Sequence, residues 1–362
     1  MSVPALVISL TITGTGLSMG YLSSKIMLNE YFKGNYVLVA AIANLGNTTG
    51  ALIAPYIVER SLEAYGYVGA MLILGGISLH AIPASVALRN PPETPIRSSN
   101  PERETEALIL DEERSSKRYL RKTRQPTNSN FMITEDNQQN RPPVSLGSHD
   151  NTIKQKFKNL VQSCICIQEP LMTISSPSIF LTFFGVNSWV LFLVPRAEWH
   201  GIPSSDAVFL STLAGAGGII GRLVYIALIY FGANAIFLSF IFNMISAITF
   251  LMDPLITTFP EMCVVAFIQG WCLFSCQVST AAYPKYAASD KNFALAAGLQ
   301  GLMAGMGAIV GGFISGLIKD ASRSFTIVFL VLGAVFTVNS MTTLLFFVAY
   351  RRKRAMPSPR GD

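Results

Sequence analysis

Charge is what this 362-residue sequence has least of. Only 13% of its residues are Asp, Glu, Lys or Arg, against about 25% in an ordinary soluble domain. That shortage excludes a typical cytosolic enzyme. Histidine occurs three times and cysteine five times. Cys164 and Cys166 are separated by one residue, while Cys263, Cys272 and Cys276 lie in an apolar run. Neither grouping fits a zinc or disulfide framework, so all five are read as reduced and structural, and no metal or other cofactor is implied. Acidic side chains are missing from the depths of the apolar runs, which leaves no obvious proton carrier. No run sets a nucleophile beside a base, which argues against a membrane enzyme. The net charge of +6 would suit a nucleic-acid partner only if the basic residues formed a patch. They do not: they cluster in the segments between apolar runs.

What the sequence has in excess is apolar length. Hydrophobic residues make up 51%, and the mean hydropathy is +0.43. A bilayer-spanning helix needs about 20 predominantly apolar residues. Nine stretches qualify: 3–22, 37–58, 67–88, 178–194, 208–230, 233–251, 259–281, 293–318 and 325–350. The expected fold is an all-α membrane bundle of about nine transmembrane helices, three plus six. The partners this implies are the lipid bilayer and a small-molecule substrate. The first stretch lacks the basic flank and small-residue cleavage site of a secretory signal. Residues 1–88 then form an incomplete N-terminal bundle and 178–350 a six-helix C-terminal bundle. Between them, 89–177 holds 13 of the 27 basic and 11 of the 21 acidic residues. Such a segment buries too little apolar surface to offset its ordering entropy. It is expected to be a largely disordered loop, with 153–161 either a short amphipathic helix or plain linker.

Basic residues favour the cytoplasmic side of a membrane. With 89–177 inside, 22 basic residues fall inside and 4 outside, Arg222 lying within a span. Lys25 and Lys33 are counted among those inside. The expectation is a cytoplasmic tail at 351–362, which holds Arg351–Arg354, and an external Met1.

Glycines recur four apart within the spans, as Gly16/Gly20, Gly46/Gly50, Gly217/Gly221, Gly301/Gly305, Gly307/Gly311 and Gly312/Gly316. That spacing puts both on one helix face, where a neighbouring backbone can approach closely. Arg222 is the most informative single residue, because a charge deep in a span costs on the order of 3 kcal/mol by insertion scales. It reads either as a fixed positive charge for an anionic substrate or as a structural arginine. Asn44, Asn47, Asn187, Asn243 and Asn339 also lie in spans, where amides usually join helices. Asn187, beside Ser188 and Trp189, is the strongest candidate among them for lining a pathway. His80 reads as a packed histidine rather than a proton relay, and the run 271–276 as packing rather than a substrate wall.

Several stretches resemble the monocarboxylate transporter family of the major facilitator superfamily. Tyr31, Phe32 and Lys33, followed by Gly46, Gly50 and Pro55, resemble its fourth-to-fifth helix junction. The run 65–76 is similar to the start of its sixth helix. The run 201–213 with Gly221 and Arg222, and 311–320 ending in Asp320, are similar to parts of its second half. The resemblance implies twelve helices as six plus six, of which this chain matches from the fourth onward. It implies alternating access around a central site, with Arg222, Asn187, Trp271 and Leu273 lining it from one half and Tyr21 and Asn44 from the other. It also implies a plasma-membrane carrier of a small organic anion or related metabolite, with a single-span accessory glycoprotein as a partner. The competing expectation is a non-transporting form, from a splice variant or incomplete gene model, that acts by associating with a full-length carrier. Proton-coupled members carry an aspartate four residues before the arginine; here that position is Gly218, which puts proton coupling in doubt.

Overall fold

The computed structural model describes residues 3–87 and 168–355, and every regular element among them is helical. The segment between those two ranges, with Cys164, Cys166 and the expected helix at 153–161, lies outside the described residues, as does the tail beyond Ala355. In chain order the α-helices are α1 (Val3–Tyr31), α2 (Tyr36–Leu79), α3 (Ala81–Ala87), α4 (Pro170–Trp199), α5 (Ser204–Tyr230), α6 (Ala235–Leu251), α7 (Phe259–Thr280), α8 (Tyr283–Ala287), α9 (Phe293–Ser322) and α10 (Phe325–Ala355).

The helices begin and end where local chemistry predicts. Asn234 caps α6, its side-chain oxygen accepting from the Ile236 and Phe237 amides. At the start of α7 the Glu261 carboxylate accepts from the Thr258 amide at 3.0 Å, and Pro260 sits where no amide is needed. Along α1 the hydroxyls of Thr11, Thr15 and Ser18 each donate to a carbonyl one turn back, at 2.8 Å. Their polarity is thereby satisfied inside the helix.

Some bounds differ from the hydropathy reading. The second and third stretches run together as α2, broken only at Gly66, whose φ of 65° and ψ of −174° glycine alone adopts readily. Helix α4 starts at Pro170 rather than 178, α1 continues to Tyr31, and α10 runs to Ala355. Among the described residues, six helices are long and apolar enough to cross a membrane. The nine-stretch reading counts in addition α1, the first half of α2 and the shorter α6.

Helices α4, α5, α6, α7 and α10 share one core, against which α9 packs. Helix α5 lies along α7, α9 along α4, and α10 against both α6 and α4. Trp189, Leu210, Leu273, Phe250 and Phe336 are buried at its centre, the last two rings stacked 5.4 Å apart. A polar knot ties α4, α6 and α10 together. Asn339 accepts from Ser178 at 2.8 Å and donates to Thr182 and Asn243 at 2.9 Å, all four fully buried. These amides join helices, as buried amides in membrane bundles do. At one end of the bundle Arg196 and Asp253 form a buried ion pair of 2.6 Å. Burial pushes the Asp253 carboxyl up to about 6 in spite of the guanidinium beside it. Helices α1 and α2 pack on this core separately, α1 on α9 and α2 on α5.

Candidate functional site

The seam between α1/α2 and α4/α7/α9 holds a half-open cavity of about 670 Å³, within the roughly 300–1,000 Å³ typical of small-molecule sites. Its polar lining is Ser18, Tyr21, Lys25, Asn44, Asn47, Gln277 and Gln300. Helical spacing explains the first pair: Tyr21 and Lys25 are four apart and share a face of α1. The Lys25 ammonium lies 4.4 Å from the centre of the Tyr21 ring and donates to the Gln300 side-chain oxygen at 2.9 Å. Gln300 is held in turn by its own amide, which donates to the Thr280 carbonyl at 2.6 Å. Gly298, Gly301 and Gly305 of α9 line the opposite wall, and a Cβ at any of the three would meet nothing within 4 Å. Among the described lining residues there is no Asp or Glu.

Arg222 sits just behind this wall. It is 2% exposed. One terminal nitrogen donates to the Asn44 carbonyl at 2.9 Å and the other to the Gln277 side-chain oxygen at 3.2 Å. Both acceptors belong to residues that line the cavity. The guanidinium also lies 5.4 Å from the centre of the Phe274 ring, within cation–π range. Phe274 occupies the space that a side chain at Gly218 would need. The position where proton-coupled relatives are expected to carry an aspartate is therefore filled by an aromatic ring.

The structure brings Tyr21, Asn44 and Arg222 together and leaves the other three sequence candidates elsewhere. Leu273 is fully buried in the core beside Trp189 and does not line the cavity. The Asn187 amide donates to the Phe183 carbonyl of its own helix at 2.9 Å, and only Phe183 reaches the wall. Trp271 packs edge-on against Phe267 and against the α5 face at Gly221. Lys25, Gln277 and Gln300 were missed. Hydropathy ends the apolar stretch at Leu22 and so places Lys25 beyond the span, whereas α1 continues past it and buries it to 9% exposure. Its spacing from Tyr21 was the available signal.

The remaining motif residues lie away from the cavity. Tyr31, Phe32 and Lys33 are exposed at the turn between α1 and α2. Gly46 and Gly50 lie on α2 with open space around them, and Pro55 is within the same helix. Asp320 is exposed near the end of α9, 3.3 Å from Lys319. His80 caps the end of α2, with a ring nitrogen 3.2 Å from the Gly76 carbonyl.

The profile of the Major Facilitator Superfamily matches residues 1–252. Over 364 aligned positions the chain is 24% identical to monocarboxylate transporter 12 of Mus musculus, covering 97% of this chain and 68% of that protein. The Rattus norvegicus protein of the same name is 22% identical, with coverage of 95% and 66%. The chain thus spans about two thirds of the length of these curated relatives. Its fold is similar to the crystal structure of the transporter FucP in an outward conformation, at a TM-score of 0.55 and 13% identity, covering 86% of this chain and 68% of that one. A profile match over residues 1–252 and a helical bundle of this architecture place the chain: it belongs to the major facilitator superfamily, whose members are multi-pass membrane transporters and not enzymes.

Proposed function

We propose that the chain moves a small organic anion across the membrane by alternating access, with the seam cavity as the transport site. The observation that carries this reading is the cavity itself. It lies where the N-terminal helices meet the C-terminal bundle, and two cations stand in or behind its wall with no carboxylate among the described lining residues to neutralise them. Central sites between helix groups are what rocking carriers use. The similarity to monocarboxylate transporters favours a carboxylate as the anion. On this reading the protein resides in the plasma membrane, with residues 89–177 and the C-terminus in the cytoplasm, and the two helix groups move against one another.

Uptake of labelled carboxylates into liposomes reconstituted with the full chain tests the proposal. Wild-type protein should accumulate at least one carboxylate and not its uncharged amide. Arg222→Ala should abolish that uptake at normal expression. Arg222→Lys should restore only part of it, since an ammonium cannot bridge the Asn44 carbonyl and the Gln277 amide as a planar fork does. Wild-type uptake rates in Arg222→Ala would show the arginine to be structural, and amide uptake equal to acid uptake would defeat the anion reading.

A further inference from the structure

We propose that Lys25, on α1, is the residue that grips the anionic group of the ligand, that the Gln300 oxygen is the neutral acceptor this group replaces, and that the ligand's apolar body lies along the glycine face of α9. This deepens the reading of the cavity as a transport site and rests on it.

The argument begins with unmet donor capacity. An ammonium carries three hydrogen-bond donors. At 9% exposure Lys25 uses one, to the neutral oxygen of Gln300, and otherwise faces the Tyr21 ring. A buried charge without an ionic partner is costly, and the cavity wall supplies no carboxylate. A carboxylate arriving in the cavity would replace a neutral acceptor with a charged one, and charge-assisted hydrogen bonds are roughly twice as strong. Gln300 is suited to release. Its amide remains tied to Thr280 whether or not its oxygen holds the ammonium, so losing Lys25 does not orphan the whole side chain.

Arg222 is differently placed. Both of its terminal nitrogens are already engaged, one of them by a backbone carbonyl of α2, and the residue does not itself line the cavity. It contributes a field from behind the wall, while Lys25 can make contact.

The rest of the cavity describes the ligand's other end. Gly298, Gly301 and Gly305 leave open volume where side chains would stand, and Phe183 and Met306 border that volume. A carboxylate with an apolar chain or ring fits such a space. A compact hydroxy acid would leave the apolar wall unfilled, and a second carboxylate would find no second cation among the described lining residues.

Binding to the purified full chain in detergent tests this, with 4-phenylbutyrate as the probe and 4-phenylbutyramide and acetate as controls. In wild type, phenylbutyrate should raise the melting temperature in a saturable way, and both controls should bind at least tenfold more weakly. Lys25→Gln should weaken phenylbutyrate binding at least tenfold, and Lys25→Arg should largely preserve it. Gln300→Leu is the decisive variant. It frees the ammonium, so phenylbutyrate should bind as well as in wild type or better. If the Lys25–Gln300 bond were only a clamp between helices, both substitutions would act alike. Equal loss in the two variants, undiminished binding in Lys25→Gln, or equal wild-type binding of acid and amide would each overturn the proposal. Liposome uptake separates it from the reading beneath it. Binding that depends on Lys25 without uptake would defeat the transport reading alone, and uptake unaffected by Lys25→Gln would defeat the anchor alone.

Discussion

At the residue scale, the sequence showed which side chains are anomalous but not which way they face. Arg222 is conspicuous as a charge in an apolar run, and the structure places it behind the cavity wall with both terminal nitrogens in use. Leu273 and Asn187 lie on helices as apolar as those of Tyr21 and Asn44. Only the neighbours decide which of these faces the cavity, and hydropathy carries no information about neighbours. Gly218 shows the same limit. Read alone, it is a missing carboxylate, and restoring Asp there would seem a way to make uptake pH-dependent. In the structure Phe274 fills that space. Gly218→Asp is therefore expected to overpack, at a cost of about 1–3 kcal/mol, and to lower the melting temperature in detergent. Adding Phe274→Ala should remove the clash, so the loss in the double variant should be smaller than the sum of the two single losses. A single Gly218→Asp variant as stable as wild type would show that Phe274 moves aside freely.

At the element scale, six glycine pairs look alike in the sequence, but they play different parts. A Cβ at Gly217 would strike the Phe267 carbonyl, and one at Gly307 the Phe180 carbonyl, so these two glycines permit α5 to approach α7 and α9 to approach α4. A Cβ at Gly16, Gly20, Gly46 or Gly50 would meet nothing within 4 Å. Spacing alone identifies a smooth helix face; close packing also needs a partner against it. Gly217→Ala and Gly307→Ala should each destabilise the protein by about 1–3 kcal/mol, whereas Gly16→Ala should leave the melting temperature unchanged or slightly raised. Equal effects at all three positions would dissolve the distinction. Glu169, just before α4, is a second device at this scale. Its carboxylate accepts from the Ser289 amide at 2.9 Å and the Asn292 side chain at 3.2 Å, with Lys353 at 3.8 Å. Burial alone would raise its pKa, but these hydrogen bonds and the Lys353 charge outweigh it and hold the carboxyl below its ordinary value. A depressed folded-state value means the stabilisation is fully present above the unfolded value of about 4.3 and is lost as the pH falls through the folded one. Glu169→Gln should lower stability at pH 7 by about 1 kcal/mol and shrink the difference between pH 7 and pH 3. An unchanged difference would mean that Glu169 contributes no pH dependence.

At the scale of the whole molecule, the all-helical class and the positions of most helices were legible, because length and apolarity suffice to mark them. The cavity was not, because it arises where α1 and α2 meet three helices more than a hundred residues away in sequence. Orientation draws on both kinds of information. Glu169 joins the start of α4 to Ser289 and to Lys353 on α10, so these segments share one end of the bundle. Lys291 and Arg351–Arg354 gather there, together with Lys285, which is paired with Asp290 at 2.7 Å. Arg196 lies at the other end, neutralised by Asp253, and Lys319 is paired with Asp320. Among the described residues, basic side chains without an ion pair are thus more numerous at the Glu169 end (Lys291, Arg351, Arg352 and Arg354) than at the other (Arg323), and the cost of carrying such charge across a bilayer favours the proposed orientation, with this end in the cytoplasm. Glu63, exposed on α2 just before the Gly66 break and paired with Arg60 at 3.1 Å, should then face outward. In a background with all five native cysteines replaced, an impermeant thiol reagent applied to intact cells should label Glu63→Cys and spare Lys353→Cys. Permeabilising the cells should expose both. Labelling of Lys353→Cys alone in intact cells would invert the orientation, and with it the side from which the Lys25 cavity is loaded.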